Sequence, residues 1–95
     1  VKVTAILQQY ILNLVRASRH HDEIRLGISP RGTIVLQKAA QAYAFLEHRD
    51  YVIPDDVKYL VPYVFAHRLL PMSGRQTKTI VRKLLESTPV EKVAA

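Results

Sequence analysis

The sequence predicts an all-α domain of four helices, and three observations carry that prediction. Apolar residues recur at helical spacing over Val3 to Val15, Ser29-Pro30 stands directly before a long apolar pattern, and Pro54 opens a third such run. A short run near the end, Thr77 to Ser87, supplies the fourth helix. The only strand-like pieces are residues 24–28 and 51–53, which can make at most a tiny two-stranded β pairing. Ninety-five residues suit one small domain, expected over 1–88 with a flexible tail over 89–95. A chain of this size buries roughly 60–68% of its unfolded surface.

In the first helix, residues 3–18, Val3, Ile6, Leu7, Tyr10, Ile11, Leu14 and Val15 follow the i, i+3, i+4, i+7 rule. Gln8, Gln9, Asn13 and Arg16 fall on the opposite face. Arg19-His20-His21-Asp22-Glu23 breaks the pattern and reads as a polar loop. Its paired histidines and acids raise a metal site, but zinc needs three or four convergent ligands, and His48 and His67 stand alone. No metal ligand set is expected. Ile24, Leu26 and Ile28 alternate with Arg25 and Gly27, as in a short extended segment.

The second helix, Pro30 to Glu47, starts with a Ser29 N-cap, whose hydroxyl can accept an otherwise orphaned N–H. Pro30 at the first helical position loses nothing by lacking an N–H. Val35, Leu36, Ala39, Ala40, Ala42, Tyr43 and Leu46 form a broad apolar face, and its alanines allow a neighbouring helix to pack close. Arg31 is locally the wrong charge, because a helix N-terminus favours acids. The same place suits a phosphate-like anion, and a solvated surface arginine is the alternative. Gly32 costs about 1 kcal/mol against alanine in a helix. Either a ligand or another domain approaches there, or the glycine reflects loop strain.

His48-Arg49-Asp50 reads as a turn and Tyr51-Val52-Ile53 as extended. Pro54 begins the third helix, with Asp55 and Asp56 in its first turn where acids complement the dipole, while Ile53 cannot cap. Val57, Leu60, Val61, Val64 and Phe65 form its core stripe, flanked by Tyr59 and Tyr63, and Pro62 should kink or divide it. Leu70 to Arg75 reads as a loop. The last helix turns Ile80, Val81, Leu84 and Leu85 inward and Arg82, Lys83 and Glu86 outward, and Pro89 ends it.

Composition narrows the function classes. Hydrophobic residues make up 48% and charged residues 23%, a globular balance. Without cysteine there is no disulfide framework and no thiolate nucleophile, which fits a reducing, cytoplasmic setting. No apolar run approaches the ~20 residues of a membrane span. No signal peptide is visible, and Val1 is not a start methionine, so a longer parent chain is expected. The net charge of +6 raises nucleic acid as a partner, but the basic residues are scattered among acids with no run of five. There is no G-x-x-x-x-G-K-[ST] sequence and no dinucleotide fingerprint, so this piece is expected to catalyse nothing in isolation.

Three stretches carry a family resemblance. Gly27-Ile28-Ser29-Pro30-Arg31-Gly32 resembles the G-x-S-P-R-(small) signature opening the sensor-2 helix in the C-terminal lid domain of MoxR-type AAA+ ATPases. Arg49-Asp50-Tyr51-Val52-Ile53-Pro54-Asp55-Asp56-Val57 resembles that family's R-D-Y-V-x-P-x-D-V link. Val64-Phe65-Ala66-His67-Arg68-Leu69 resembles the end of its third helix. The three occur in the right order and cover about Leu26 to Leu70. Gly32 stands where alanine is common and Ile53 where a capping threonine is common; the segment after Leu70 matches less well.

The resemblance implies a helical lid closing over ATP held with Mg²⁺ by an α/β core of the same parent chain. Arg31 would be the sensor-2 arginine reaching the γ-phosphate, with Ser29, Pro30 and Gly32 shaping the helix start. It also implies neighbouring subunits in a hexameric ring, chaperone-like remodelling and von Willebrand A type partner proteins. Two alternatives come from other classes. One is a small basic DNA-binding module, opposed by Asp55 and Asp56 at the start of the would-be recognition helix. The other is a plain protein-interaction module, which assigns Arg31 no task.

Overall fold

A computed structural model describes residues 1–90. Along the chain run α1 (Ala5–His20), β1 (Ile24–Leu26), α2 (Pro30–Leu46), α3 (Pro54–Ala66), β2 (Leu70–Pro71) and α4 (Thr77–Ser87). The expected all-α class with one small β pairing is what forms. Of the expected tail, residues 91–95 lie outside the described residues, whereas Val90 is partly buried against the core.

Thr4 caps α1 by accepting the Leu7 N–H at 3.3 Å, so the helix starts two residues later than its apolar pattern. It also continues through His20, where Arg19 complements the negative end of the dipole. The first two residues of the expected polar loop are thus helical. Leu7, Tyr10, Ile11, Leu14 and Val15 are buried as the periodicity requires.

In α2 the buried residues are Gly32, Leu36, Ala40 and Ala44, a single i, i+4 row of mostly small side chains. A ridge that low lets a neighbouring helix approach closely, and α2 makes its most extensive contacts with α3. The apolar face is therefore narrower than the sequence suggests. Leu46 is 72% exposed, because two residues beyond Ala44 is about 200° around the helix. Ala42 is exposed as well.

The helix ends on His48, a non-glycine residue at φ 62°. Its N–H donates to the Phe45 carbonyl at 3.0 Å, and the Arg49 N–H donates to the Ala44 carbonyl at 2.9 Å. These are the two bonds of a Schellman ending. They turn Arg49 back toward the start of α3.

Ile53 offers no cap, and the structure solves this from the other side. Asp56 Oδ2 accepts the Ile53 N–H at 2.9 Å, the reverse half of a capping box. The same carboxylate takes Arg49 bidentately, Nη1 at 2.7 Å and Nη2 at 2.5 Å. Helix α3 runs unbroken through Pro62, which is exposed. Division at the proline does not occur. Val57, Val61 and Phe65 are fully buried, and Leu60 and Val64 pack partly against them. Tyr59 and Tyr63 flank that stripe on the surface, with Tyr59 stacked on Tyr43 at 5.0 Å between centroids.

The small sheet corrects the expected partner. Strand β1 pairs antiparallel with β2, Ile24 opposite Pro71 and Leu26 opposite Leu70. Residues 51–53 do not meet it; Tyr51 forms an isolated parallel bridge with Lys2 instead. The first part of the expected 70–75 loop is therefore a strand. Antiparallel pairing needs the start of β2 to return beside β1, and the turn after α3 provides that, with Leu69 buried and its N–H bonded to the Phe65 carbonyl. Lys83 of α4 clamps the same corner through Glu23 at 2.6 Å.

Candidate functional site: the capped start of α2

The segment Gly27 to Gly32 is held by the end of α1. Ser18, fully buried, accepts the Ile28 N–H at 3.0 Å and donates to the Val15 carbonyl at 2.6 Å. Arg19 Nε donates to the Ile28 carbonyl at 2.8 Å. Both polar groups of the Ile28 backbone are satisfied by adjacent residues of one helix. Ile28 itself is 0% exposed, so its side chain anchors the segment in the core.

Gly27 permits this approach. A Cβ there would lie 2.8 Å from the Arg19 Cα, the Arg19 N and the Ser18 O. All three are backbone atoms, which cannot swing away. Only glycine lets the segment run this close to α1.

Ser29 then acts as the N-cap, its Oγ accepting the Gly32 N–H at 3.4 Å, while its carbonyl accepts the Thr33 N–H at 3.2 Å. Pro30 occupies the first helical position. Among the described residues this leaves the Arg31 N–H as the unsatisfied donor of the first turn. The Arg31 side chain is exposed and makes no ion pair with a described residue. A permanent cation beside an open backbone donor can bind an oxyanion arriving from outside the domain.

Gly32 faces inward. A Cβ on it would stand 2.5 Å from Ile28 Cγ2 and 3.4 Å from Arg68 Cδ. The space that the missing side chain leaves is filled by this chain's own Ile28, with the Arg68 stem laid across the turn.

The structure thus brings Ser29, Pro30 and Arg31 together on the surface and Gly32 beneath them. Sequence reasoning missed the residues that hold them there. Ser18 looked like the end of a helix and Arg19 like the start of a loop. A buried serine at the last turn of an apolar stripe was the available signal. Arg25, His67 and Arg68 also line an open cleft beside this segment. Arg68 lay inside a recognised stretch without an assigned task.

Elsewhere, His21 Nδ1 accepts the Glu23 N–H at 3.0 Å, a local turn contact. Among the described residues no three His, Asp or Glu side chains gather as a metal site. No helix among them is long and apolar enough to cross a membrane. The carboxyl of Asp56 is held below its usual range: burial opposes its charge, but the bonds from Arg49 and the Ile53 N–H outweigh burial. Its role is to join two helices. Asp55, exposed in the first turn of α3, leaves an acidic face where a DNA-reading helix would present donors.

Comparison with known proteins adds family to geometry. The family model described as the AAA lid domain matches residues 16–86. The uncharacterized protein YeaC of Bacillus subtilis (strain 168) is 44% identical over 95% of this chain and 30% of that protein. Chaperone MoxR1 of Mycobacterium tuberculosis is 34% identical over 67% of this chain and 19% of that protein. A 2.00 Å crystal structure of a Cytophaga hutchinsonii protein assigned as an ATPase superposes with a TM-score of 0.92 at 30% identity. That match covers 97% of this chain and 32% of the solved one. The chain therefore spans about a third or less of each of these proteins.

Proposed function

This chain belongs to the AAA lid domain family, in its MoxR-type branch, and from that premise we propose that it closes over a nucleotide held by the rest of its parent protein. In this reading Arg31 is the sensor-2 arginine and contacts the γ-phosphate of ATP. Ser29, Pro30 and Gly32 act through the backbone, fixing where the first turn of α2 points. The phosphate loop and the acids that hold Mg²⁺ belong to the α/β core, and the parent protein is an ATPase working in the cytoplasm.

The observation that carries the reading is the placement of Arg31. A cation stands exposed at a capped helix start, where it weakens the helix, on a segment secured by Ser18, Arg19 and two tightly packed glycines. A charge clamp needs that combination of exposure and rigid support, because stabilising a transferring phosphoryl group depends on donors placed before the reaction starts. Loss of the γ-phosphate would release the clamp and let the lid move against the core. Neighbouring subunits of a ring, hexameric in this reading, would receive that motion. The remodelling would be chaperone-like, with von Willebrand A type proteins as partners; a relative is named as a chaperone.

The test is Arg31→Ala in the full-length protein. Its thermal unfolding should match or slightly exceed wild type, since the exposed side chain makes no ion pair with a described residue and its charge is unfavourable at a helix start. ATP turnover should fall by about 100-fold or more. Near-normal turnover in a folded variant would remove Arg31 from the reaction.

A further inference from the structure

Tyr43 of α2 and Tyr59 and Tyr63 of α3 form a continuous aromatic row on the surface. The rings of Tyr43 and Tyr59 lie 5.0 Å apart between centroids with planes at 27°, and those of Tyr59 and Tyr63 lie 5.7 Å apart at 46°. Tyr59 is 53% exposed and Tyr63 62%, so reagents in solution reach the row. Tyr10, by contrast, is buried in the core, and Tyr51 stacks on no other ring among the described residues.

The row joins two kinds of neighbour. Tyr59 and Tyr63 are one turn apart on one helix, a spacing that sets side chains together in any helix. Tyr43 reaches Tyr59 because α2 and α3 pack closely over the low ridge of Ala40 and Ala44. Ionisation of Tyr59 is opposed first by the charge of Tyr63 and also by that of Tyr43, so its pKa lies above that of an ordinary phenol. The hydroxyl ends of the three rings are therefore near neighbours, together with the ring carbons that flank them.

The chain has no cysteine and no tryptophan, so its phenols are the side chains that most readily give up a single electron. A tyrosine that loses an electron sheds its hydroxyl proton to water and becomes a neutral radical, with spin on the oxygen and on the ring carbons beside it. Two such radicals on neighbouring rings join carbon to carbon. Each joined carbon then passes its hydrogen to the phenoxyl oxygen through water, which restores both rings. The balance is one C–C bond formed, two C–H bonds broken, two protons released and two electrons taken by a one-electron oxidant acting twice. We propose that Tyr43 and Tyr59 are a site of oxidative modification, coupling to dityrosine under one-electron oxidants such as peroxidase intermediates or carbonate radicals and stapling α2 to α3. The stack pre-arranges the encounter, so coupling within one molecule outruns the meeting of two molecules that each carry a charge of +6. Neither Arg31 nor a nucleotide is needed for this proposal to hold.

The experiment oxidises this chain, whose four helices share one continuous core, in dilute solution with photogenerated tris(bipyridine)ruthenium(III) and persulfate. The product is then cleaved after lysine and arginine. Tyr43 falls in the fragment 39–49, and Tyr59 and Tyr63 share the fragment 59–68. The expected product is a monomer with dityrosine fluorescence and a mass lower by two hydrogens, in which these two fragments are joined. Its melting temperature should rise by about 4 °C or more, since the link closes a loop in the unfolded chain. Tyr43→Phe and Tyr59→Phe keep the ring and drop the phenol, and each should remove the joined fragment. Tyr63→Phe and Tyr51→Phe should leave it in place. In denaturant its yield should fall about 10-fold or more, because the helices no longer hold the rings together.

Equal yield in denaturant would reduce the link to chance encounter and overturn the proposal. So would the absence of dityrosine, covalent dimers as the main product, or a joined product that melts no higher than the untreated chain. A hydrogen loss confined to the fragment 59–68 would place the coupling between Tyr59 and Tyr63 and exclude the staple. A joined fragment that survives Tyr59→Phe and disappears with Tyr63→Phe would likewise exclude the Tyr43–Tyr59 stack.

Discussion

Ser18 and Ile28, ten residues apart, share a buried hydrogen bond of 3.0 Å that ties the last turn of α1 to the residue before the Ser29 cap. The bond satisfies a backbone N–H that no strand or helix serves, and both residues are 0% exposed. An N–H left unpaired at that depth costs about 1–3 kcal/mol.

Ser18→Ala should lower unfolding free energy by that amount in denaturant titrations. It should also reduce ATP turnover in the full-length protein at a temperature where the variant is still folded, because the start of α2 loses a support. A variant with unchanged stability would show that Arg19 and the Ile28 side chain suffice to hold the segment.

The two glycines around the start of α2 should respond differently to alanine. Gly27→Ala places a methyl 2.8 Å from backbone atoms of Ser18 and Arg19, so α1 and the loop must separate. Overpacking of this kind costs about 1–3 kcal/mol. Gly32→Ala meets the Ile28 Cγ2 at 2.5 Å, but the helix gains about 1 kcal/mol from the better residue. Its net loss should be smaller and should shrink further in an Ile28→Ala background. Equal losses in both backgrounds would mean that Ile28 is not the obstacle.

Arg49 and Asp56 form the ion pair that joins the end of α2 to α3, with the Asp56 side chain 2% exposed. Removing the arginine strands a buried carboxylate, so Arg49→Ala should cost about 3 kcal/mol near neutral pH. The pH dependence has a definite sign. The folded-state pKa of Asp56 is depressed, so its stabilisation is fully present above the unfolded value of about 3.9 and is lost as pH falls through the folded value. Wild-type stability should hold from pH 7 to about 5 and decline below about 4. In Asp56→Asn the decline in that acid window should be shallower. An identical acid profile would assign acid unfolding to other carboxylates.

Tyr10 carries a buried hydroxyl with no hydrogen-bond partner among the described residues. Burial pushes its pKa up, as expected for a phenol that cannot be solvated when ionised. Tyr10→Phe keeps the ring and discards the orphan group, so unfolding free energy should stay level or rise by about 1 kcal/mol. A clear loss would reveal that the hydroxyl has a partner in solution.

Much of the fold was legible because local chemistry and packing agree. The stripe from Leu7 to Val15 could only be one face of a helix, and Ser29-Pro30 could only start one. Leu46 misled because an apolar residue near the end of a helix belongs to the core only if its angle matches the buried row, and the row is Gly32, Leu36, Ala40 and Ala44. The strand partner misled because residues 51–53 and 70–71 are both very short, and nothing local distinguishes them. The weakness of Ile53 as a cap was readable; its remedy, Asp56 reaching back while holding Arg49, required knowing that the turn at His48 returns the arginine.

By itself the sequence determined the number and order of helices, the family and the candidate position of Arg31, since periodicity, capping and motif spacing act within a few residues. The tertiary structure alone decided why Gly27 and Gly32 are glycines, which strand pairs with β1, and which arginines share a cleft. Those outcomes depend on groups 8 to 60 residues apart: a Cβ on Gly27 would lie 2.8 Å from Arg19, one on Gly32 would lie 3.4 Å from Arg68, and Lys83 reaches Glu23 at 2.6 Å. Steric exclusion and hydrogen bonding at that range are set by where helices cross, and a linear pattern does not encode a crossing.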